Sequence, residues 1–213
     1  MVDLWVILTF PAHVPSEENI VISQDGRYVV VRDGDWVHFC RKENNILLIL
    51  WKFKPIDEHR VAISNDNKYV CASGDKWIAL LDTHGNLIWE KDIIPYGCCW
   101  SPPYFISNAS LIGVTSGSDK LVLIVDFEGR LIKEIHLREK YVKIDPIVVN
   151  NFIIAIAEID KADVLRVYDW DGKAIYTFKT KGDKILAIAC SLDGKYIAVS
   201  DNALRVYLIE RED

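Results

Sequence analysis

Blocks of basic charge are absent from this chain: no run of five or six lysines and arginines occurs, and the formal charge is −6 with a pI near 5.4. Non-specific nucleic-acid binding draws on clustered cations that neutralise phosphates, so no nucleic-acid partner is expected. Cysteine is scarce and unpaired in pattern. The five residues, Cys40, Cys71, Cys98, Cys99 and Cys190, are odd in number and contain no C-x-x-C, which signals neither a disulfide framework nor a zinc site. Four of them lie in apolar strand-like runs and read as reduced, buried small hydrophobes, while the adjacent pair Cys98 and Cys99 keeps a redox or metal role open.

The opening apolar run, Leu4 to Phe10, stops at Pro11 and is too short to span a bilayer, and Asp3 stands where a secretory leader carries basic residues. A soluble, cytoplasmic protein with no membrane partner is expected. Sustained apolar spacing at 3.6 residues is also missing, which argues against helical repeats. A single Met and a single Gln, Gln24, beside abundant Ile and Val point to a thermophilic source.

What the chain does contain is one phrase stated three times. "SQDGRYVVVRDGDW" begins at Ser23, "SNDNKYVCASGDKW" at Ser64 and "SLDGKYIAVSDNAL" at Ser191. Ser23 to Ser64 is a step of 41, Ser64 to Ser101 a step of 37, and Asn150 to Ser191 a step of 41 again. Such a period, filled with short Val/Ile/Tyr/Trp runs between Gly/Asp/Asn turns, is that of four-stranded propeller blades. At 213 residues and 50% hydrophobic composition, the chain has the means for a cooperative core without staples.

In the second unit the four strands read as "HRVAIS", "KYVCAS", "KWIALLD" and "NLIWEKD". Asp66-Asn67 makes the first hairpin, as Asp25-Gly26 and Asp193-Gly194 do in theirs. The turn from third to fourth strand repeats as "DTHG", "DFEG" and "DWDG" from Asp82, Asp126 and Asp169, with Asp first and Gly fourth in a type I pattern. Full sets occupy about residues 19–54, 59–93, 97–137 and 141–179, and a fifth, 184–210, is one strand short. The surplus strand near the start, about 4–10, supplies it. The expected fold is all-β: a single-domain five-bladed β-propeller over 1–213, four antiparallel strands per blade, closed by the N-terminal strand on the last blade.

The phrase S-x-D-G-[KR]-Y-[VI] resembles inner hairpins of the WD-repeat and quinoprotein-like propeller superfamily, and "ALLDTHGNLIW" is similar to its D-x-x-G-x-x-x-W outer turn. The resemblance covers nearly the whole chain and implies the propeller fold. No residues that would carry a quinone are present, and no cofactor is expected. Small residues, Val21, Ala62, Cys99, Val148 and Ala189, stand two places before each aligned serine or its equivalent, as convergence on a narrow axis requires. The larger Ile22, Ile63 and Trp100 are expected to fill the space between blades.

Catalytic sets are not apparent. Glycoside hydrolysis needs carboxylates converging on one funnel, and the nearest acids, Asp57, Glu58 and Asp145, form no matching set. His13, His38, His59, His84 and His136 are scattered and read as surface imidazoles. Aspartates recur between second and third strands, at Asp33, Asp35, Asp75, Asp119, Asp160, Asp163 and Asp201, where turn chemistry accounts for each and a cation site is the sharper alternative. On the other face the third unit inserts "SPPYFISNA", and aromatics stand at the tips of two outer turns. Tyr104, Phe105, Phe127 and Trp170 are therefore the expected partner-binding residues. The function read from this is a non-enzymatic protein-protein interaction scaffold or complex subunit, monomeric outside its complex, with an unidentified protein partner. The alternative is a small lectin-like carbohydrate-binding propeller, and a glycoside hydrolase ranks below both.

Overall fold

The structure is a computed structural model that describes residues 20–211, except 34–35, 45, 56–58, 75, 94–101, 107–110, 117–119, 138–141, 150 and 192. All regular structure among the described residues is β, arranged in five antiparallel sheets. The first holds β1 (Ile20–Ile22), β2 (Tyr28–Asp33), β3 (Trp36–Glu43) and β4 (Ile46–Phe53) in chain order. The second holds β5 (His59–Ile63), β6 (Tyr69–Gly74), β7 (Trp77–Asp82) and β8 (Leu87–Asp92), and the third β9 (Tyr104–Ile106), β10 (Leu111–Ser116), β11 (Leu121–Asp126) and β12 (Leu131–His136). The fourth is β13 (Val142–Val149), β14 (Phe152–Ile159), β15 (Ala162–Asp169) and β16 (Ala174–Lys179). The fifth has three described strands, β17 (Ile185–Cys190), β18 (Tyr196–Asp201) and β19 (Val206–Glu210).

The repeated phrase builds the innermost hairpin of a blade. Ser23 Oγ donates to Asp25 Oδ1 at 2.8 Å and accepts from the Tyr28 amide at 2.9 Å. Ser64 does the same with Asp66 (2.7 Å) and Tyr69 (3.0 Å), and Ser191 with Asp193 (2.5 Å) and Tyr196 (2.9 Å). Hydroxyl and carboxylate thus satisfy turn amides that the ladder cannot reach. At the tip, Gly26, Asn67 and Gly194 take φ of 70°, 59° and 67°, which Gly and Asn tolerate.

Consecutive sheets stack face to face, and each boundary has its own core. Val30, Phe39, Val70 and Ala79 lie between the first and second sheets, and Cys71, Leu80, Ile112 and Leu123 between the second and third. Ile106, Ile124, Ile153 and Tyr168 lie between the third and fourth, and Ile154, Leu165, Ile197 and Val199 between the fourth and fifth. A third strand such as β7 or β11 is buried nearly throughout because both of its faces meet a neighbouring sheet. Each large apolar side chain so buried contributes roughly 1.5–3 kcal/mol relative to exposure. This stacking is that of a β-propeller.

Two features depart from this order. Val21 packs on the core between the first two sheets, so Ile22, next in the strand, faces away and is 63% exposed; it does not fill an inter-blade space, whereas Ile63 does. On β19, Val206 is 77% and Leu208 70% exposed, although the pairings Tyr69↔Asp82 and Tyr196↔Glu210 make them counterparts of Ile78 and Leu80, at 1% and 0%. The strand expected beside β19, about 4–10, lies outside the described residues.

Candidate functional site

The outer turns are built by aspartate. Asp82 Oδ1 accepts from the amides of His84 (2.8 Å) and Asn86 (2.9 Å), Asp126 Oδ1 from Glu128 (3.1 Å) and Arg130 (2.7 Å), and Asp169 Oδ1 from Asp171 and Lys173 (both 2.9 Å). The outer strand carries a β-bulge, just after the turn in the second, third and fourth sheets and four pairs beyond the turn in the first. It leaves Trp51, Trp89, Lys133 and Tyr176 opposite Phe39, Leu80, Ile124 and Val167 in the four complete sheets. A bulge re-aims the side chain beside it, and here three of the four reach the outer turn of the following sheet. Trp51 Nε1 donates to the Thr83 carbonyl at 3.0 Å, Trp89 Nε1 to the Phe127 carbonyl at 2.7 Å, and Lys133 Nζ to Asp171 Oδ1 at 2.8 Å. The approach is close enough to require the turn glycine: a Cβ on Gly129 would lie 2.9 Å from the Trp89 ring, and one on Gly172 2.7 Å from the His136 carbonyl oxygen. Every boundary between complete sheets is therefore clamped at its outer edge.

Of the four aromatics expected to bind a partner, Phe105 and Phe127 come together, with ring centroids 6.2 Å apart, and Phe127 also meets Tyr69 edge-on at 4.6 Å. Both pack against the core between the second and third sheets, while Tyr104 and Trp170 pack against the core between the third and fourth. All four are half-buried. The second turn residue thus fills the outer groove at two boundaries, with Phe127 at one and Trp170 at the other.

At the flanking boundaries that position is Thr83 or Arg211, and clefts remain. One, of about 330 Å³, is lined by Tyr28, Arg41, Leu50, Trp51, Thr83 and His84. The other, of about 350 Å³, lies between the fourth and fifth sheets and is lined by Phe152, Val167, Tyr176, Ile197 and Ile209 together with Glu210 and Arg211. Apart from His84, read as a surface imidazole, no cleft residue is marked as a candidate by the sequence. The signal that could have found the bulge residues is spacing: Trp89, Lys133 and Tyr176 each stand four places after the turn glycine Gly85, Gly129 or Gly172.

Charged groups serve the turns. Burial of Asp201 would raise its pKa, but hydrogen bonds from the Tyr207 hydroxyl and the amides of Arg205, Gly182 and Ala203 outweigh that and hold it below the usual carboxylate range. Asp163 Oδ2 accepts from the Ile185 amide at 3.0 Å. Among the described residues no three His, Cys, Asp or Glu side chains gather as a metal site. The expectation of surface imidazoles fails for His38, which is 4% exposed because both faces of β3 are covered, and holds for exposed His84 and His136. Cys40 and Cys71 are buried and Cys190 is half-buried, all three as free thiols. Cys98, Cys99, Asp57 and Glu58 lie outside the described residues, and Asp145 sits in β13.

No protein-family model and no curated protein sequence matches the chain. Among solved structures it is similar to the β-propeller domain of Myceliophteria thermophila Cps50 (Swd1), with a TM-score of 0.66 at 13% identity over 86% of this chain. The chain spans 62% of that domain's length. At this identity the likeness shows the fold, an all-β propeller.

Proposed function

We propose that the protein is a non-enzymatic interaction module that meets a partner protein through the turns of its propeller face. The observation that carries this reading is the clamping of successive outer turns across sheet boundaries by Trp51, Trp89 and Lys133. Turns held at fixed separations form a surface that needs little ordering when a partner docks, so more of the contact energy appears as affinity. In this proposal the half-buried aromatics Phe127 and Trp170 of the outer turns, with Tyr104 and Phe105 of the innermost strand β9, supply apolar area to the partner; β9 places the latter two in a strand and not in the loop expected from the sequence. Rigidity of the whole requires closure, and the N-terminal strand, about 4–10, completes the fifth sheet on β19 in this proposal. The double variant Tyr104→Ala/Trp170→Ala tests the reading: partner capture is lost at a temperature where the variant, though less stable for the lost packing, is still folded, and undiminished capture contradicts it.

The cleft at Trp51 favours a second reading, a lectin-like propeller, because an indole beside Arg41 and His84 suits a sugar ring and its hydroxyls. A glycan array read with the Trp51→Ala variant as control decides between the two.

A further inference from the structure

We propose that the cleft between the fourth and fifth sheets is a seat for an aromatic side chain of the partner protein, an inference that rests on the interaction-module reading. Register identifies the occupant. Tyr69, Leu111 and Phe152 hold the same place in their sheets, each paired with the residue that opens the outer turn or its counterpart: Asp82, Asp126 and Asp169. Across from Tyr69 the groove is filled by Phe127, and the groove containing Leu111 is filled by Trp170, both second residues of an outer turn. The counterpart across from Phe152 is Arg211. It follows Glu210, which pairs with Tyr196, just as Thr83 follows Asp82, which pairs with Tyr69. The Arg211 amide donates to the Lys195 carbonyl at 2.8 Å as the Thr83 amide does to that of Lys68 at 3.1 Å.

Two grooves of this lineage therefore hold an aromatic ring of the chain itself, and the third does not. Arg211 instead lays its guanidinium over the Phe152 ring at 4.8 Å, and a cleft of about 350 Å³ is open beside these two residues. The lining is Phe152, Val167, Ile175, Tyr176, Ile197 and Ile209 with Glu210 and Arg211, so the space is mostly apolar with one carboxylate and one cation among its walls. Ile175 and Tyr176 are 58% and 45% exposed there. An aromatic ring satisfies both features: it buries apolar area against the isoleucines and offers a π-face to the guanidinium. The cleft at Trp51 lacks this fit, since Arg41, Thr83 and His84 give it polar walls and Trp51 already stacks on Phe39 at 5.0 Å.

The test is methyl NMR on the full chain, titrated with N-acetyl-tryptophanamide and with a synthetic peptide copying residues 169–173, against N-acetyl-leucinamide and a copy of the peptide with Ala in place of its Trp, which leaves no aromatic ring. Saturable shifts at the Ile175, Ile197 and Ile209 methyls are expected for the two aromatic probes and not for the controls. Arg211→Trp, which places in this groove the ring that Trp170 places in the neighbouring one, is expected to weaken binding roughly tenfold or more by occupying the seat. Arg211→Ala should weaken it about threefold through loss of the cation. Should Arg211→Trp disturb the fold, Ile209→Phe fills the seat from the floor instead. The proposal is overturned if no saturable shift appears at these methyls at millimolar probe, as when the chain's own residues fill the cleft, or if both filling variants bind as the parent does. A protein partner captured normally by the filled variant leaves the module reading standing and removes only the seat.

Discussion

The indole of Trp89, on the outermost strand of the second sheet, donates to the backbone carbonyl of Phe127 in the outer turn of the third at 2.7 Å. The same ring lies against Gly129, whose absent side chain makes room for it. Replacing Trp89 with Phe keeps most of the apolar contact and removes the donor, leaving the carbonyl unpaired. A loss of about 1 kcal/mol in unfolding free energy is expected from urea titration. No loss means that the clamp contributes nothing to the boundary.

Gly172 and Gly26 have nearly equal φ, 71° and 70°, but different surroundings. A Cβ at Gly172 meets the His136 carbonyl oxygen at 2.7 Å, whereas one at Gly26 meets nothing within 4 Å. Gly26→Ala therefore costs only the left-handed backbone, about 1 kcal/mol, and Gly172→Ala adds an inter-sheet clash for a total nearer 2–3 kcal/mol. Equal melting temperatures for the two variants contradict the close approach of the third and fourth sheets.

Acid should unfold the protein through its turns. The carboxyls of Asp25, Asp193 and Asp201 are held below the ordinary aspartate range: Asp25 chiefly by the Arg27 amide, Asp193 chiefly by the Ser191 hydroxyl, and Asp201 by hydrogen bonds that overcome its burial. A carboxyl whose pKa is depressed on folding contributes stability that is present above its unfolded value and is lost as pH falls through the folded one. Stability is thus flat with respect to these groups near neutrality and declines below about pH 4. Asp201→Asn, in full-length protein, shrinks that decline; an unchanged acid limb contradicts the assignment.

The three described thiols should resist reagents. Burial raises the pKa of Cys40 and of Cys71, and burial followed by the charge of Asp193 pushes Cys190 up to about 11. The thiolate is the reactive form, so at pH 8 the native protein leaves Cys40, Cys71 and Cys190 unmodified by a maleimide, and denaturant releases them. Peptide mapping of the labelled sites reads this directly, and rapid native labelling at any of the three refutes the burial.

Deleting residues 1–10 removes the strand proposed to cover β19, where Val206 and Leu208 are exposed while their counterparts in the second sheet are buried. The melting temperature is expected to fall by more than about 5 °C, and a change within a degree or two contradicts closure by that strand.

The parts of this fold that could be read from the sequence are those made by residues close together in the chain. Ser23 with Asp25, or Asp82 with Asn86, closes its turn within five residues, so the same letters recur wherever the turn does. Alternation along the third strands was misleading for His38, because those strands bury both faces and a polar residue inside them is not marked as outward. The grooves were hidden for a further reason. Whether the second turn residue is Thr83, Phe127, Trp170 or Arg211 is plain in the sequence, but its effect depends on Trp51, Tyr69, Leu111 or Phe152 from the preceding sheet. Such pairs lie some 30 to 60 positions apart, and only stacking of the sheets brings them together.

The most direct measurement is affinity purification of the tagged full-length protein from extract of its own cells, run beside the Tyr104→Ala/Trp170→Ala double variant. Mass spectrometry reads what stays bound at moderate salt. An interaction module retains a protein in near-stoichiometric amount, and the double variant, equally folded, loses it. A folded bait that retains nothing, or a variant that retains the same protein in the same amount, contradicts the account.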